Sequence, residues 1–335
     1  MNNDLLKVFE TESDYDSAKP DFVYPTVSYI KETDELLYMA KPNILDFPIK
    51  AVFYDSSTGS FVKLYPDQIT EAIPTYTPIG VEVVPAEHDV YGTGQAGIMS
   101  LAEMNRSTPD VGSSEYNGIL WGGYLTDISL PNLDRVNLVN GTTDEFGHLP
   151  SDQFTGDTSL DDVSNYYQTS FNAPSPFNAD GSRNEAYYTT THSTANALSD
   201  FDGVGNTTVL TDLATKQSDW KTASTIKNNY LAGSYPAACC CWRFHTAGTD
   251  QGQWYLPACG EMGYVINRIS AINETINKVK NVYASVVAVA VDTNNTYWSS
   301  SEVSAAGAWH LRMNSGYVYT YSKNSSLYVR AFLRV

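Results

Sequence analysis

The chain has 335 residues, of which 42% are hydrophobic and 17% are charged, and its formal net charge at pH 7 is -18. The apolar fraction is enough for a sizeable core, and the length is enough for two or three domains or for one large domain with insertions. The negative charge argues against nucleic acid as a partner, because lysine and arginine are needed to bind phosphates. The 24 tyrosines and the low charge favour a loop-rich β-protein of extracellular or virion type.

The first seven residues lack the basic start, apolar run and small-residue cleavage site of a signal peptide. No apolar stretch approaches the roughly 20 residues that span a bilayer, so we expect no membrane insertion. We therefore expect synthesis in a host cytoplasm. Host lysis would release such a chain if it is part of a virion.

Alternating apolar residues predict two hairpins near the N-terminus. The first joins 27–30 to 36–38, and the second joins 49–54 to 61–65. We predict an all-β module over 1–75, serving either as a plain cap or for attachment and oligomerisation, because small modules with free edges gain stability by pairing. A proline-flanked linker at 74–78 then leads into a domain over 76–335, which opens with strands at 79–84 and 96–101.

Residues 105–195 show little regular pattern and form a stretch far longer than an ordinary loop. We predict an insertion packed on the domain surface by its aromatic residues, with disorder as the alternative. These aromatic residues include Trp121, Tyr124, Phe171, Phe177, Tyr187 and Tyr188.

Six aspartates in or near this insertion lack EF-hand spacing, so no metal site is predicted. They are Asp157, Asp161, Asp162, Asp180, Asp200 and Asp202. The segment 200–206 is interpreted as the N-terminal turn of a helix at 207–216, with Asn206 as its cap.

A second helix is predicted over 259–281, because apolar residues recur on one face at helical spacing. They are Met262, Ile266, Ile269, Ile272, Ile276 and Val279. A strand is predicted to follow at 285–291.

The four cysteines, at 239–241 and 259, do not have the spacing of a zinc site. We interpret them as buried free thiols. A bridge from Cys239 or Cys241 to Cys259 is the alternative.

The C-terminal region alternates like a β-hairpin. Side chains alternate between faces along a strand, so Trp309, Leu311 and Met313 are predicted to lie on the core face. His310, Arg312 and Asn314 are predicted to lie on an exposed face. A turn at 314–316 leads to a run with tyrosines at 317, 319 and 321, and such tyrosine-rich faces are typical of binding surfaces.

Two motifs carry a resemblance to a known family. Residues 254–264 (WYLPACGEMGY) resemble the W-x-L-P-x-x-x-E entry to the second helix of formylglycine-generating-enzyme-like C-type lectin folds. Residues 297–302 (YWSSSE), with Gly316, Lys323 and 329–331, resemble the C-terminal half of the Lcl-type branch. More narrowly, the chain resembles the variable proteins diversified by diversity-generating retroelements, especially those of gut Bacteroides phages and prophages.

This resemblance implies an α+β protein with a C-type lectin-like domain and a variable display region over about 296–327. In that family, adenine-directed mutagenesis changes exposed residues while a framework is retained. The presumed framework consists of Trp298, Glu302, Trp309, Met313 and Lys323. The candidate ligand-binding positions are Val303, Ala305, Ala306, Gly307, His310, Arg312, Asn314, Tyr317, Tyr319, Asn324, Ser325, Ser326 and Leu327.

We therefore expect a virion-associated receptor-binding protein of head-fibre or tail-fibre type. Its partners would be a host-surface protein or glycan, other virion proteins through the N-terminal module, and further copies of itself, as in a trimer. The alternative is a structural capsid-decoration or tail-assembly protein. We predict no cofactor and no enzymatic activity. The five histidines are scattered without catalytic partners: His88, His148, His192, His245 and His310. The enzymatic members of the resembled family use cysteines near the end of the fold, and this chain has no cysteine after 259.

Overall fold

The computed structural model describes residues 47–88, 91, 93–115, 118–126, 128, 130, 200–217, 219–303, 305–314 and 317–335, together with the backbone of three N-terminal strands. The chain separates into two compact units, Met1–Asp46 and Phe47–Val335. Helices and antiparallel sheets are both present, which confirms the α+β class.

The first unit contains β1 (Leu6–Phe9), β2 (Thr26–Ile30) and β3 (Glu35–Met39) in that spatial order. β2 and β3 form the predicted antiparallel hairpin. β1 lies parallel to β2 and was not predicted.

The second unit contains three sheets and three α-helices within its described residues. Its strands are β4 (Lys50–Asp55), β5 (Ser60–Leu64), β6 (Tyr76–Val84), β7 (Gly97–Ser100), β8 (Ile119–Leu120), β9 (Trp254–Tyr255), β10 (Thr296–Glu302), β11 (Gly307–Arg312), β12 (Tyr317–Ser322), β13 (Ser326–Leu327) and β14 (Phe332–Arg334). The largest sheet has the order β5-β4-β6-β7-β14-β9, a second has the order β10-β11-β12, and β13 pairs with β8. The helices are α1 (Gly203–Asp212), α2 (Pro236–Arg243) and α3 (Cys259–Val282).

The predicted domain boundary at residue 75 is wrong. β4 and β5 form the second predicted hairpin, but β4 also pairs with β6, so the hairpin belongs to the main sheet. Val52 and Phe53 are fully buried there, as expected for an interior strand covered on both faces. The predicted linker at 74–78 partly lies in β6, and the boundary between the units falls at 46/47.

Helix α3 confirms the predicted helix at 259–281. Its N-terminus is capped by Glu261, whose Oε2 accepts a hydrogen bond of 2.7 Å from the Ala258 backbone N–H. The helix contacts β4, β6, β10 and β11. Met262, Ile272 and Val279 on its predicted apolar stripe are buried. The glutamate of the W-x-L-P-x-x-x-E motif therefore begins the helix that supports both larger sheets.

The first predicted helix begins earlier than expected. α1 starts at Gly203, and its N-cap is Asp202, which accepts a hydrogen bond of 2.9 Å from the Gly205 N–H. Asn206 does not cap it; its buried amide binds Asp200 and Ser300 instead. The prediction of Asn206 as the N-cap is wrong because Asn206 lies inside α1, where its side chain hydrogen-bonds to residues outside the helix.

The consecutive cysteines lie on α2, a helix that the sequence did not predict. All four cysteines are free and buried, which confirms the interpretation as apolar thiols. α2 packs within the main core beside Trp121, Trp254 and Trp298. Trp121 thus lies inside the domain and does not pack an insertion onto its surface.

The predicted strand at 285–291 is absent, because this segment is irregular. At its end, the Val291 backbone pairs with a side chain of α3. The Asn273 amide N–H donates a hydrogen bond of 2.9 Å to the Val291 carbonyl, and the Val291 N–H donates one of 2.7 Å to the Asn273 Oδ1.

Residues 131–199 lie outside the described part of the chain, with Phe171, Phe177, Tyr187, Tyr188 and four of the six aspartates. No described helix is long and apolar enough to cross a bilayer.

Candidate functional site

The C-terminal sheet β10-β11-β12 rests on a buried framework. The structure buries all five presumed framework residues, each at most 3% exposed: Trp298, Glu302, Trp309, Met313 and Lys323. Trp298 donates a hydrogen bond of 3.0 Å from its indole N–H to the Ile119 carbonyl. Side chains of this size and polarity can be buried only where they are closely packed and hydrogen-bonded. Few other residues would therefore be tolerated at these positions.

The three serines of the YWSSSE motif are fully buried. Ser299 donates to the Trp309 carbonyl at 2.9 Å. Ser301 donates to Asp200 at 2.6 Å and accepts a bond of 3.0 Å from the N–H of Cys259, the first residue of α3. The motif therefore ties β10 to β11 and to the start of α3, and it does not itself face solvent.

A buried ion pair joins the sheet to the segment that follows β8. The Lys323 ammonium binds Glu302 and donates a hydrogen bond of 2.8 Å to the Thr126 carbonyl. It also lies 4.7 Å from the centroid of the Trp121 ring, a cation–π distance. The Glu302 carboxylate accepts hydrogen bonds of 3.1 Å from the Ile128 N–H. Because both charges are buried, these contacts compensate for their lost hydration.

Three loops meet around this ion pair, and together we call them the loop cluster. They consist of residues 303 and 305–307, residues 323–327, and residues 121–126. Two backbone hydrogen bonds join them, from Lys323 N–H to Ala306 at 3.0 Å and from Gly122 N–H to Lys323 at 3.1 Å. β13 also pairs with β8, which holds the second and third loops side by side.

Eight of the candidate ligand-binding positions lie in the loop cluster and all are at least partly exposed. Asn324 and Ser326 are exposed, and the half-buried positions are Val303, Ala305, Ala306, Gly307, Ser325 and Leu327. The cluster thus places small and polar side chains at the surface directly above the buried framework.

The structure adds an exposed apolar ridge to the loop cluster, formed by Tyr124, Leu125, Tyr230 and Leu231. Leu125 is 70% exposed and Leu231 is 54% exposed. The Tyr124 N–H donates a hydrogen bond of 2.7 Å to the Tyr230 carbonyl, and the two rings meet edge-on at 6.2 Å.

Leu125 has a φ of 65°, a left-handed conformation that is uncommon for a residue with a side chain. The sequence analysis missed this ridge. The sequence marks the ridge only weakly, by two glycines at 122–123 that precede Tyr124 and Leu125.

The expectation that His310 lies on an exposed face is wrong. His310 is 7% exposed, and its ring lies 6.2 Å from that of Trp298 and 5.4 Å from that of Tyr321. His310 pairs directly with Trp298 across β10 and β11, so the two side chains share a face. That face packs into the main core at Trp298 and Ala308, which leaves His310 covered.

Arg312 and Asn314 are exposed as predicted, but they lie at the opposite end of β11 from the loop cluster. Arg312 is the fifth residue after Gly307, about 17 Å along an antiparallel strand. The candidate positions therefore form two surfaces with buried His310 between them. Tyr317 and Tyr319 pair through their backbones with Arg312 and His310, and their side chains lie outside the described part of the structure.

Comparison with known proteins gives one distant structural likeness. A scan of protein-family models finds no match to this chain, and a search of curated proteins finds none either. Among solved structures, the chain is similar to a fimbrial protein from Bacteroides ovatus, with a TM-score of 0.43 and 16% sequence identity. The likeness covers 85% of this chain and 48% of the other, so this chain spans about half the length of the fimbrial protein. At this TM-score the likeness carries no argument about fold or function.

The remaining histidines do not gather into a site within the described structure. His245 is half-buried, and its Nδ1 lies 3.2 Å from the Arg243 carbonyl. His148, His192 and the side chain of His88 lie outside the described residues. Across the described part of the chain, no three His, Cys, Asp or Glu side chains are grouped to hold a metal ion.

Buried His310 makes the stability of the fold dependent on pH. Burial, with a contribution from the neighbouring Arg312 charge, lowers the pKa of His310 from 6.5 to about 4. The unfolded chain therefore binds this proton more readily between pH 6.5 and 4, so the stability is full above pH 6.5 and falls as the pH drops through this window. We expect the loss to reach about 3 kcal/mol at pH 4.

Urea unfolding of the wild type and of His310→Gln between pH 4 and 7.5 measures this contribution. The glutamine variant, which cannot titrate, should lose less stability on acidification than the wild type. His245→Gln is the matched control and should keep the wild-type dependence. Equal slopes for the wild type and His310→Gln would contradict burial of a neutral imidazole.

Proposed function

We propose that this chain is a binding protein that presents the loop cluster to a ligand on a host-cell surface, as the receptor-binding protein of a virion. The observation that carries the proposal is the contrast between the framework and the loops. Every framework residue is buried and hydrogen-bonded or packed, whereas the candidate positions directly above it are exposed or half-buried. Such a surface tolerates many side chains without loss of the fold, because substitutions at exposed sites change stability little.

The apolar ridge supplies contact area for this binding. Tyrosine and leucine side chains lose little conformational entropy for the area they bury, and tyrosine is enriched at the centre of interfaces. The ridge is already held by the Tyr124–Tyr230 contact and by the Lys323–Thr126 hydrogen bond. A surface ordered before binding avoids part of the entropy cost of association.

We further propose how the two units of the chain serve within a virion. The resemblance to diversity-generating-retroelement variable proteins supports a C-type lectin-like second unit with a variable region. The separate first unit, with its own three-stranded sheet, is suited to attachment to other virion proteins. A homo-oligomer, such as a trimer, would present several loop clusters and raise the overall affinity through effective concentration.

The test is adsorption of labelled full-length protein to a panel of gut Bacteroides isolates. A variant with Ala305→Arg and Ser326→Arg places two bulky charges on the loop cluster without touching the framework. We expect it to lose at least about tenfold in binding to a strain that the wild type recognises, because misplaced interface charges are costly to desolvate.

The matched control carries the same two changes at exposed positions on and after α3, Ser270→Arg and Ala284→Arg. It should bind like the wild type, and circular dichroism should be unchanged for both variants. Equal adsorption by both variants would favour the structural virion role. Exchanging Arg312, Tyr317 and Tyr319 for alanine tests the far end of the sheet in the same assay.

A further inference from the structure

A groove with both apolar and polar residues on its walls lies between α3 and the turn that follows β5. It is open to solvent and has a volume of about 700 Å³, within the range of ligand sites. One wall is a stripe on α3 at the spacing i, i+3, i+4 and i+7, formed by Glu274, Asn277, Lys278 and Asn281. The other wall consists of Tyr65, Pro66 and Asp67, and Pro48 completes the lining. None of these residues belongs to the loop cluster or to its framework.

The walls of the groove are held in place by the fold. Pro66 opens a short 3₁₀ turn, which the Tyr65 N–H closes with a hydrogen bond of 2.8 Å to the Gln68 side chain. On α3, Ile276 and Val279 lie between the groove residues and are fully buried, which fixes the rotation of the helix. The groove is therefore formed before any ligand arrives, as affinity for a small ligand requires.

The polar side chains of the groove are not used by the fold. Asp67, Glu274, Asn277, Lys278 and Asn281 form no side-chain hydrogen bond or ion pair with any residue of the described structure. Glu274 and Lys278 have the i, i+4 spacing that favours a helical ion pair, yet they do not form one. Their donors and acceptors remain available to a molecule in the groove.

The chemistry of the lining favours a ligand rich in hydroxyl groups. Each asparagine amide both donates and accepts hydrogen bonds, carboxylates accept, and the lysine ammonium donates, so together they match groups that do both. Tyr65 is 41% exposed and offers an aromatic ring to an apolar C–H face. The two carboxylates, Asp67 and Glu274, disfavour a phosphate ligand.

We propose that this groove is a saccharide-binding site, separate from the loop cluster. Sugars combine hydroxyl groups that donate and accept hydrogen bonds with a C–H face that packs on an aromatic ring. The inference does not depend on the receptor-binding role, because it uses none of the same residues.

The test uses the full-length protein and soluble hexasaccharides of glucose, mannose, galactose and N-acetylglucosamine, with oligogalacturonate as an acidic member. Isothermal titration calorimetry at millimolar ligand should detect binding of at least one of them. The variant Asn277→Ala with Asn281→Ala should weaken that binding about tenfold or more, since each lost hydrogen bond contributes about 1 kcal/mol. Tyr65→Ala should weaken it as well, whereas Tyr65→Phe should retain it.

Alanine favours the helix, so the double asparagine variant is expected to fold. Ser270→Ala with Lys280→Ala, at exposed α3 positions outside the groove, is the matched control and should bind like the wild type. Ala305→Arg with Ser326→Arg should also leave saccharide binding unchanged, which separates this site from the proposed receptor surface. The proposal is overturned if no member of the panel binds, if binding survives the Asn277 and Asn281 changes, or if a peptide binds the groove in place of sugars.

Discussion

Replacing Lys323 by methionine should lower the free energy of unfolding by about 3–5 kcal/mol, because it leaves the Glu302 carboxylate buried without its cation. Lys323 is fully buried and Glu302 is 3% exposed, so water cannot replace the lost partner. The change also removes the donor to the Thr126 carbonyl and the charge above the Trp121 ring. Urea unfolding at neutral pH measures the loss. Hydrogen exchange of the backbone amides of Gly122 and Ile128 should accelerate with it.

Two controls distinguish the ion pair from general effects of the substitution. Lys280→Met removes an exposed lysine and should change the stability by no more than about 1 kcal/mol. Combining Lys323→Met with Glu302→Gln should recover part of the loss, since a neutral amide can still accept from Ile128. If Lys323→Met behaves like Lys280→Met, the loops of the cluster are not anchored by this pair.

Replacing Arg330 by methionine should be similarly costly, with an expected loss of about 3–5 kcal/mol. Arg330 lies within the 329–331 segment that carried the family resemblance. Its guanidinium binds Glu103 at 2.9 Å, donates to the Ser100 carbonyl at 3.1 Å, and also donates to the Val289 carbonyl. It thus joins the end of β7 to the irregular segment before β10, and all of these contacts are lost together.

The pH dependence of the Arg330→Met variant provides a second readout. Burial raises the pKa of Glu103, and the Arg330 charge opposes that shift. Without the arginine the pKa of Glu103 should rise further, so folding favours the protonated carboxyl. The deficit relative to the wild type should therefore grow as the pH rises from 5 to 8. Arg312→Met, the same change at an exposed arginine, should stay within about 0.5 kcal/mol above pH 7, where His310 is neutral with or without the Arg312 charge.

The roles of Glu261, Lys323 and Arg330 give the family motifs a physical meaning. Glu261 caps α3, Lys323 neutralises Glu302 beneath the loop cluster, and Arg330 neutralises Glu103 beneath the sheet. The Glu261 contact is local, whereas Lys323 and Arg330 each bind a glutamate from another part of the chain. The motifs therefore specify a framework, and the proposed binding surface is formed by residues that lie between them.

Local sequence patterns were sufficient to predict the helices and strands whose apolar residues recur at the regular spacing of that element. The 3.6-residue recurrence of apolar residues predicted α3. The hairpin pattern predicted strands at 49–54 and 61–65, which the structure has as β4 and β5, and alternation at 309–314 predicted the strand that the structure has as β11. Both signals come from side-chain directions along a single element. The same reasoning missed α2, because its eight residues make only about two helical turns, too few for a 3.6-residue recurrence to repeat.

The sequence by itself determined the framework positions, because the motifs that carry the family resemblance point to them. Only the tertiary structure decided what covers each face. Alternation separates the two faces of β11 but does not show that core packing at Trp298 and Ala308 also covers His310. Nor does it show that Tyr124 and Tyr230, 106 residues apart in the chain, contact each other. Burial depends on neighbours that are remote in the chain, and no local pattern records them.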